Sequence, residues 1–294
     1  MIPHTFRHTC PTDLEEAYGQ LQEPDALPLA GGTDLIVNLR ERRARPALLV
    51  DLKHCPELRG IEMRGDDLWI GACTTINEIR QSSQIRSALP VLTDAASRFA
   101  CHELRNRATI GGNLANAAPC AQFGPPAVVT DAVFEIGSAH GTRIITAHDF
   151  FRGVNQTDLQ RGELLTGIRF PVPNEPSCSA SGKLSRTKGM DLPSVSMAIL
   201  VLNPSRAEFR EVRIAVGSVA PVPLRMYRTE SILSGVPLSP DVMSAARQMM
   251  DQEIKPRASS LRAAPETKRA ALAALLQEFF TTFGLLAGTE GGQR

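Results

Sequence analysis

The sequence predicts an α+β protein with a larger N-terminal domain and a smaller C-terminal domain. Three patterns support this prediction. Up to about residue 58, helical and strand patterns alternate as in a βαβ unit, which requires parallel strands. Hairpin patterns begin after Gly60. Beyond a segment rich in proline and serine at 173–181, two adjacent strand patterns precede three helical ones.

The proline- and serine-rich segment sets the predicted domain boundary. The N-terminal domain covers residues 1–175, with subdomains of about 1–58 and 59–175, and the C-terminal domain covers 176–294.

The first subdomain begins with a helix, because Thr12 and Glu15 have the spacing of a capping box. A buried strand over 27–30 runs into a glycine pair, and Thr33 is the predicted cap of a second helix that includes Leu39. A second buried strand covers 47–51.

The second subdomain is predicted to contain two hairpins, two helices and one further strand. The hairpins pair 61–63 with 68–70 and 132–136 with 142–146, the helices lie around 75–82 and 87–99, and the strand covers 164–170. The polar segment 101–113 has little periodicity and carries no predicted element.

The C-terminal domain begins with antiparallel strands over 195–202 and 212–219. Helices follow near 224–234 and 240–252, and a long helix is predicted from Pro265 to Phe283.

The composition is that of a soluble globular protein. The 294 residues carry a net charge of +1, so the sequence gives no reason to expect a nucleic-acid or membrane partner. No apolar run approaches the roughly 18 residues of a membrane span, and the first residues lack a signal-peptide pattern, so we expect a cytoplasmic protein. The six cysteines include no C-x-x-C pair, so we expect free thiols and no metal ligands.

Two glycine pairs are the main functional signal. Gly31-Gly32 and Gly111-Gly112 are each followed by a small polar residue, Thr33 and Asn113. Glycine lets a backbone turn its amides toward a phosphate, so two such pairs predict a bound diphosphate, although a single pair is more often a plain turn. The dinucleotide motif G-x-G-x-x-G and the P-loop motif are absent. Asp34 is expected to stabilise the helix start and to point away from an anion.

The sequence offers no obvious catalytic acid, base or nucleophile. The histidines have no metal-binding spacing, and His102 and Glu103 are interpreted as solvated loop residues. Arg105 and Arg107 could neutralise a phosphate or a partner surface, or could simply be solvated. This pattern favours a protein whose cofactor carries the chemistry.

Three segments of the sequence resemble those of a known protein family. Leu29 to Leu35, Arg105 to Leu114 and Pro125 to Asp131 resemble the FAD-binding subunit of the molybdenum hydroxylases, and in particular the middle subunit of bacterial xanthine dehydrogenases. In the C-terminal part, Lys183 and the segment 256–266 also match. The resemblance covers essentially the whole chain.

The resemblance implies a two-subdomain FAD-binding fold of the vanillyl-alcohol-oxidase (PCMH) type, followed by the smaller C-terminal domain. It also implies a set of cofactor-binding residues in two loops and at four further positions. These are Leu29, Ala30, Gly31, Gly32, Thr33, Asp34, Leu35 and Ile36; Thr109, Ile110, Gly111, Gly112 and Asn113; and Phe99, Gln122, Leu165 and Lys183. Many relatives have an acid where this chain has Gln122, and a tyrosine where it has Thr267.

The implied function is electron transfer through FAD. The molybdenum cofactor and the [2Fe-2S] clusters would lie on a large and a small partner subunit, and NAD+ or another molecule would accept the electrons. Two alternatives remain: an assembly subunit that keeps the fold but lacks flavin, which Gln122 would favour, and a stand-alone flavin oxidase.

Overall fold

The computed structural model describes residues 2–187, 190–204, 210–260 and 262–285. In this part of the chain, no helix has both the length and the apolarity needed to cross a membrane.

The first subdomain is a three-stranded parallel sheet with two helices. Its elements are β1 (Arg7–Thr9), α1 (Leu14–Leu21), β2 (Ala26–Leu29), α2 (Leu35–Arg40) and β3 (Leu48–Asp51). The predicted βαβ unit is confirmed, since β2 pairs with β3 in parallel. β3 is central and fully buried, with β1 on its other side.

Both predicted helix caps in this subdomain are wrong. α1 is capped by Asp13, whose carboxylate accepts a hydrogen bond from the Glu16 amide at 2.8 Å, one residue beyond the predicted pair. The cap position of α2 is Asp34, not Thr33, and no side chain caps that helix. Caps depend on where the chain leaves extended geometry, and a pattern locates that point only to within a residue or two.

The second subdomain is built on a five-stranded antiparallel sheet. Its strands are β4 (Ile61–Arg64), β5 (Asp67–Gly71), β6 (Val133–Ser138), β7 (Gly141–Thr146) and β10 (Leu164–Pro171), in the order β4-β5-β10-β6-β7. Both predicted hairpins and the predicted 164–170 strand are therefore confirmed. A small hairpin of β8 (Phe151–Gly153) and β9 (Gln156–Thr157) lies apart from this sheet.

Seven helices belong to this subdomain. They are α3 (Ile76–Gln81), α4 (Ser83–Ala88), α5 (Pro90–Ser97), α6 (His102–Arg105), α7 (Ile110–Ala115), α8 (Gly124–Val129) and α9 (Ala147–Phe150). The two helices predicted around 75–82 and 87–99 correspond to α3 and to α4 with α5. The polar segment 101–113 contains α6 and the start of α7, which its lack of periodicity concealed.

The C-terminal domain is an antiparallel sheet flanked by helices. Its strands are β11 (Ser177–Leu184), β12 (Val195–Leu202), β13 (Glu211–Gly217) and β14 (Leu224–Arg225), and its helices are α10 (Tyr227–Leu233), α11 (Pro240–Glu253) and α12 (Pro265–Thr282). The predicted antiparallel pair and all three predicted helices are confirmed. β11 already occupies the second half of the proline- and serine-rich segment.

All eight residues of β12 are buried, because helices cover both faces of the sheet. On one face, Ala198, Leu200 and Leu202 join the core of the second subdomain. On the other face, Met197, Ile199 and Val201 pack with α10, α11 and α12. The C-terminal sheet therefore completes the core of the domain before it.

Candidate functional site

The two glycine-pair loops line one cavity of about 350 Å³. The cavity lies where the first subdomain meets the second, beyond the carboxyl ends of β2 and β3. Its walls include twelve of the residues predicted to bind a cofactor: Ala30, Gly31, Gly32, Thr33, Asp34, Leu35, Phe99, Thr109, Gly111, Gly112, Asn113 and Leu165.

The first loop joins β2 to α2 and offers free backbone donors. The five consecutive amides from Gly31 to Leu35 make no hydrogen bond to any atom of the described residues. Gly32 has φ +73°, a left-handed conformation that glycine adopts without strain. These residues line the cavity, so their amides can donate to the oxygens of an anionic group.

The second loop does not present its amides in the same way. The Ile110 amide donates to the Thr74 carbonyl at 3.1 Å, and the Gly111 amide donates to the Ala72 carbonyl at 2.9 Å. The amides of Gly112 and Asn113 both donate to Thr109, whose hydroxyl caps α7. The expectation that both glycine pairs turn free amides toward a ligand is therefore wrong for the second pair.

Polar side chains are what the second loop offers to the cavity. The Thr109 hydroxyl accepts from the Gly112 amide and keeps its own proton to donate. The side-chain Oδ1 of Asn113 accepts a hydrogen bond from the Phe123 amide at 3.1 Å, which leaves the side-chain Nδ2 of Asn113 as a donor.

Glycine is required in both pairs because protein backbone approaches protein closely. A Cβ on Gly31 would lie 2.0 Å from the Arg107 carbonyl oxygen, and a Cβ on Gly111 would lie 2.5 Å from the Cβ of Ala72. No real Cβ atom makes such contacts. Gly31 therefore lets the first loop rest on the second, and Gly111 lets the second loop rest on the chain that leaves β5.

The remaining wall of the cavity is apolar. Phe99 and six leucines line it: Leu27, Leu35, Leu52, Leu159, Leu164 and Leu165. The Phe99 ring lies 6.4 Å from that of Phe123, in a tilted arrangement. An aromatic ring system of a ligand could be buried against such a wall.

The lining residues include two carboxylates and no lysine or arginine. Glu163 is neutralised, because Arg143 donates to it from Nε and Nη2, each at 2.7 Å, and these hydrogen bonds lower its pKa. Asp34 occupies the N-cap position of α2, where a negative charge favours the helix start, but its carboxylate makes no capping hydrogen bond. Partial desolvation raises the pKa of Asp34.

These walls fit FAD in the chemistry of their donors. Free amides of the first loop suit the diphosphate, and the leucines and Phe99 suit adenine or the flavin ring. An anion bound here would depend on backbone and side-chain hydrogen bonds, since none of the described residues that line the cavity has a cationic side chain.

Five predicted site residues do not line this cavity. Leu29 and Ile110 are buried in the protein, and Ile36 is exposed on α2. Gln122 is buried with its Nε2 3.5 Å from the Ala95 carbonyl oxygen. Lys183 donates from Nζ to the Asp191 carbonyl at 2.8 Å, and desolvation lowers its pKa.

Several lining residues were not predicted from the sequence, among them Leu52, Leu159, Leu164 and Glu163. Leu52 could have been found, because it directly follows β3 and ligands bind at the carboxyl ends of parallel strands. Leu159 and Glu163 lie in the loop before β10, and no local pattern marks them.

The fold also brings together His8, Cys10 and Asp51, whose potential ligand atoms lie within 4.8 Å of one another. The sequence did not reveal this group, because Asp51 is far along the chain from His8 and Cys10. The pairing of β1 with β3 brings the three residues together. The Asp51 carboxylate is already bound by the Lys53 ammonium, which competes with any cation for it.

Two family models match the chain. The model for the FAD-binding domain in molybdopterin dehydrogenase matches residues 4–173, and the model for the CO dehydrogenase flavoprotein C-terminal domain matches residues 180–283.

Individual relatives are similar over most of their length. The chain is 35% identical over 245 residues to the xanthine dehydrogenase FAD-binding subunit of Escherichia coli O157:H7, covering 83% of each chain. It is 34% identical over 263 residues to the caffeine dehydrogenase subunit beta of Pseudomonas sp. (strain CBB1), covering 85% of this chain and 87% of that one.

Solved structures share the whole architecture. A chain of carbon monoxide dehydrogenase from Hydrogenophaga pseudoflava superposes with a TM-score of 0.91 at 30% identity, covering 98% of this chain and all of that one. A chain of quinoline 2-oxidoreductase from Pseudomonas putida 86 gives 0.90 at 27% identity, covering 97% and 99%. The predicted FAD-binding fold with an appended C-terminal domain is thereby confirmed.

Proposed function

This chain belongs to the family of FAD-binding medium subunits of the molybdenum hydroxylases, and we propose that it is the electron-transfer subunit of a xanthine dehydrogenase-like complex. In such a complex it receives electrons from the [2Fe-2S] clusters of a small subunit and delivers them to NAD+ or another acceptor. The molybdenum cofactor and the substrate site lie on a large subunit. We place this heterotrimer in the cytoplasm, in purine catabolism.

One observation carries the proposal: five consecutive residues whose amides make no hydrogen bond among the described residues line a cavity that both glycine-pair loops share. Gly31 to Leu35 hold the diphosphate, assisted by the Thr109 hydroxyl and the Asn113 side-chain nitrogen. Leu165 and Phe99 pack against the ring systems. Leu29, Ile36, Ile110 and Gln122 support the two loops from outside the cavity, and Lys183 approaches the cofactor from the C-terminal domain.

The bound FAD would supply the redox chemistry, because flavins accept single electrons and release them in pairs. The chain's own residues bind and orient the cofactor. Among the described residues that line the cavity, none is a histidine or lysine, and Glu163 is held by Arg143. Such a lining suits the binding of a cofactor. It disfavours a stand-alone oxidase, which would need its own general acid and base to act on a substrate.

Other relatives are medium chains of carbon monoxide dehydrogenase, but several are named for heterocyclic substrates, and these support a heterocyclic substrate for the complex. Among them are subunits of xanthine, caffeine and nicotinate dehydrogenases. The substrate site would belong to the large subunit. The FAD-binding subunit would therefore perform the same electron transfer in enzymes that act on different substrates.

The test is to purify the chain, alone and with its partner subunits, and to measure its visible spectrum and extractable FAD. We expect a flavin spectrum and about one FAD per chain. After reduction, addition of NAD+ should restore the oxidised spectrum if NAD+ is the acceptor. A colourless chain that takes up no added FAD would contradict the proposal.

The assembly-subunit alternative makes a different prediction for Gln122→Asp. A flavin-free scaffold would stay empty in both forms, whereas a flavoprotein binds FAD in both. Flavin uptake by the unaltered chain excludes the alternative.

A further inference from the structure

Lys268 is a buried cation that has no counter-ion among the described residues. It lies in the first turn of α12 and is only 5% exposed. Its ammonium group donates to the Ser218 carbonyl at 2.7 Å, which satisfies one of three donors. Among the residues that the structure describes, no carboxylate lies within ion-pair distance of it.

The surroundings of Lys268 are cationic. It lines a small cavity of about 80 Å³ together with Lys255 and Arg257, and the described lining of that cavity contains no aspartate or glutamate. Burial lowers the pKa of Lys268, and repulsion from Arg257 and Arg262 lowers it further. A buried charge normally has a partner of opposite sign, because desolvation without one is costly.

The cavity also has free backbone donors. Ser218 has φ +67°, and the amides of the next two residues, Val219 and Ala220, make no hydrogen bond within the described ranges. Successive amides beside a left-handed residue form a concavity that suits an anion.

Both domains contribute to this cavity. Pro119 and Val154 come from the FAD-binding domain, whereas Ser218 and Lys268 come from the C-terminal domain. The Ser218 amide donates to the Pro119 carbonyl at 2.8 Å, so the two domains already meet here.

We propose that this cavity is a binding site for a free tetrahedral oxyanion of the phosphate class, which neutralises Lys268 and links the two domains. The space is several times the volume of one water molecule, enough for a single oxyanion and too small for a nucleoside. The site is separate from the diphosphate loops and does not depend on the electron-transfer function.

The experiment is a titration of the full chain with inorganic phosphate at constant ionic strength, followed by calorimetry and thermal unfolding. Added FAD first saturates the glycine-loop cavity, so that phosphate cannot occupy it. We expect saturable binding and a rise in Tm that chloride does not reproduce.

Lys268→Met should weaken phosphate binding at least about tenfold, because it removes a charge-assisted hydrogen bond. Lys53→Met is the matched control, since Lys53 lies in the first subdomain and pairs with Asp51. Arg257→Gln, at an exposed position, should weaken binding by a smaller factor and provides a second measurement if Lys268→Met does not fold.

Three results would overturn the proposal: no saturable phosphate binding by the unaltered chain, equal affinity in Lys268→Met, or equal affinity in Arg257→Gln when Lys268→Met is unfolded. Displacement of phosphate by an equal concentration of ADP would instead assign the site to a nucleotide, and would also contradict a free oxyanion.

Discussion

Gly31 decides whether the two glycine-pair loops can touch. A Cβ at this position would overlap the Arg107 carbonyl, so the absence of a side chain permits contact between the subdomains as much as contact with a ligand. Likewise, the absence of a side chain at Gly111 permits close contact with Ala72. These glycines mark the site in the sequence, but their pattern indicates only a diphosphate and not this contact between loops.

Gly31→Ala should therefore reduce both FAD content and stability. The new Cβ would lie 2.0 Å from a backbone oxygen, and that contact can be relieved only if the loops separate. Extracted flavin per chain and the denaturation midpoint measure the two effects. Gly19→Ala is the control: Gly19 lies in α1 with no atom near its Cβ position, so alanine there should keep full flavin content and add up to about 1 kcal/mol of stability. Normal flavin and stability in Gly31→Ala would show that the loops do not need this contact.

A second residue-scale prediction concerns Asp34. Its pKa is raised, and a diphosphate bound nearby would raise it further. FAD should thus bind more tightly as the pH falls through the pKa of Asp34. Asp34→Asn should bind FAD roughly fivefold more tightly at pH 7 and lose this pH dependence, since one repulsion of about 1 kcal/mol is removed. Flavin fluorescence titration between pH 4.5 and pH 8 measures both. Weaker binding by the variant would mean that the carboxylate accepts a hydrogen bond from the ligand.

At the scale of elements, one arginine ties a wall of the cavity to the sheet. Arg143 on β7 donates to Glu163 and, at 2.9 Å, to Asp158, and thereby holds the loop that brings Leu159 and Glu163 to the cavity. This loop has little regular structure, so its position depends on these side-chain contacts.

Arg143→Gln should destabilise the protein by about 1–2 kcal/mol at pH 7, with the exposure of the arginine limiting the loss. The pKa of Glu163 is lowered in the folded state. Its stabilising effect is therefore present above its unfolded pKa of about 4.3 and is lost as the pH falls through the lower folded value. Urea unfolding of both proteins at pH 7 and in acid tests this, and the difference between them should shrink in acid. A difference independent of pH would assign the effect to packing.

The sequence predicted most regular elements because their signals are local. The hairpin around Gly65 and the strands β12 and β13 follow from alternation or apolar runs at turns. β1 was not predicted, because a segment of three residues shows no periodicity. The ion pair between Arg143 and Glu163 was not predicted either, because the two residues are twenty positions apart in the sequence. Of the candidate site, the glycine loops were visible in the sequence, whereas the apolar wall depends on tertiary contacts.

At the scale of the whole molecule, Asp131 joins the two domains. It has φ +52° and accepts hydrogen bonds from Arg213 at 2.7 Å and from Arg225 at 3.0 Å, both in the C-terminal sheet. His148 of the FAD-binding domain contacts it at 3.0 Å. Burial raises the pKa of Asp131, but His148 and the two arginines lower it by more. A left-handed aspartate held from both sides fixes how the domains meet.

Asp131→Asn should destabilise the protein by about 1–2 kcal/mol, because asparagine tolerates the same backbone conformation but lacks the charge that both arginines require. Since the folded pKa is lowered, the loss should appear above pH 4 and vanish in stronger acid. Thermal unfolding at several pH values checks this. The control is Asp149→Asn, an exposed residue whose carboxylate accepts from the Thr146 hydroxyl within its own domain. Equal losses in both variants would mean that the Asp131 contacts add no stability across the junction.

The burial of β12 on both sides has a consequence for dividing the chain. The predicted boundary near residue 175 marks a change in composition, yet cutting there would strip Leu200 and Leu202 from the hydrophobic interior they complete. Each half would then expose apolar side chains that are buried in the intact protein. The two halves should therefore fold together. Replacing one half with that of a distant relative should succeed only when the contacting residues of the other half are exchanged as well.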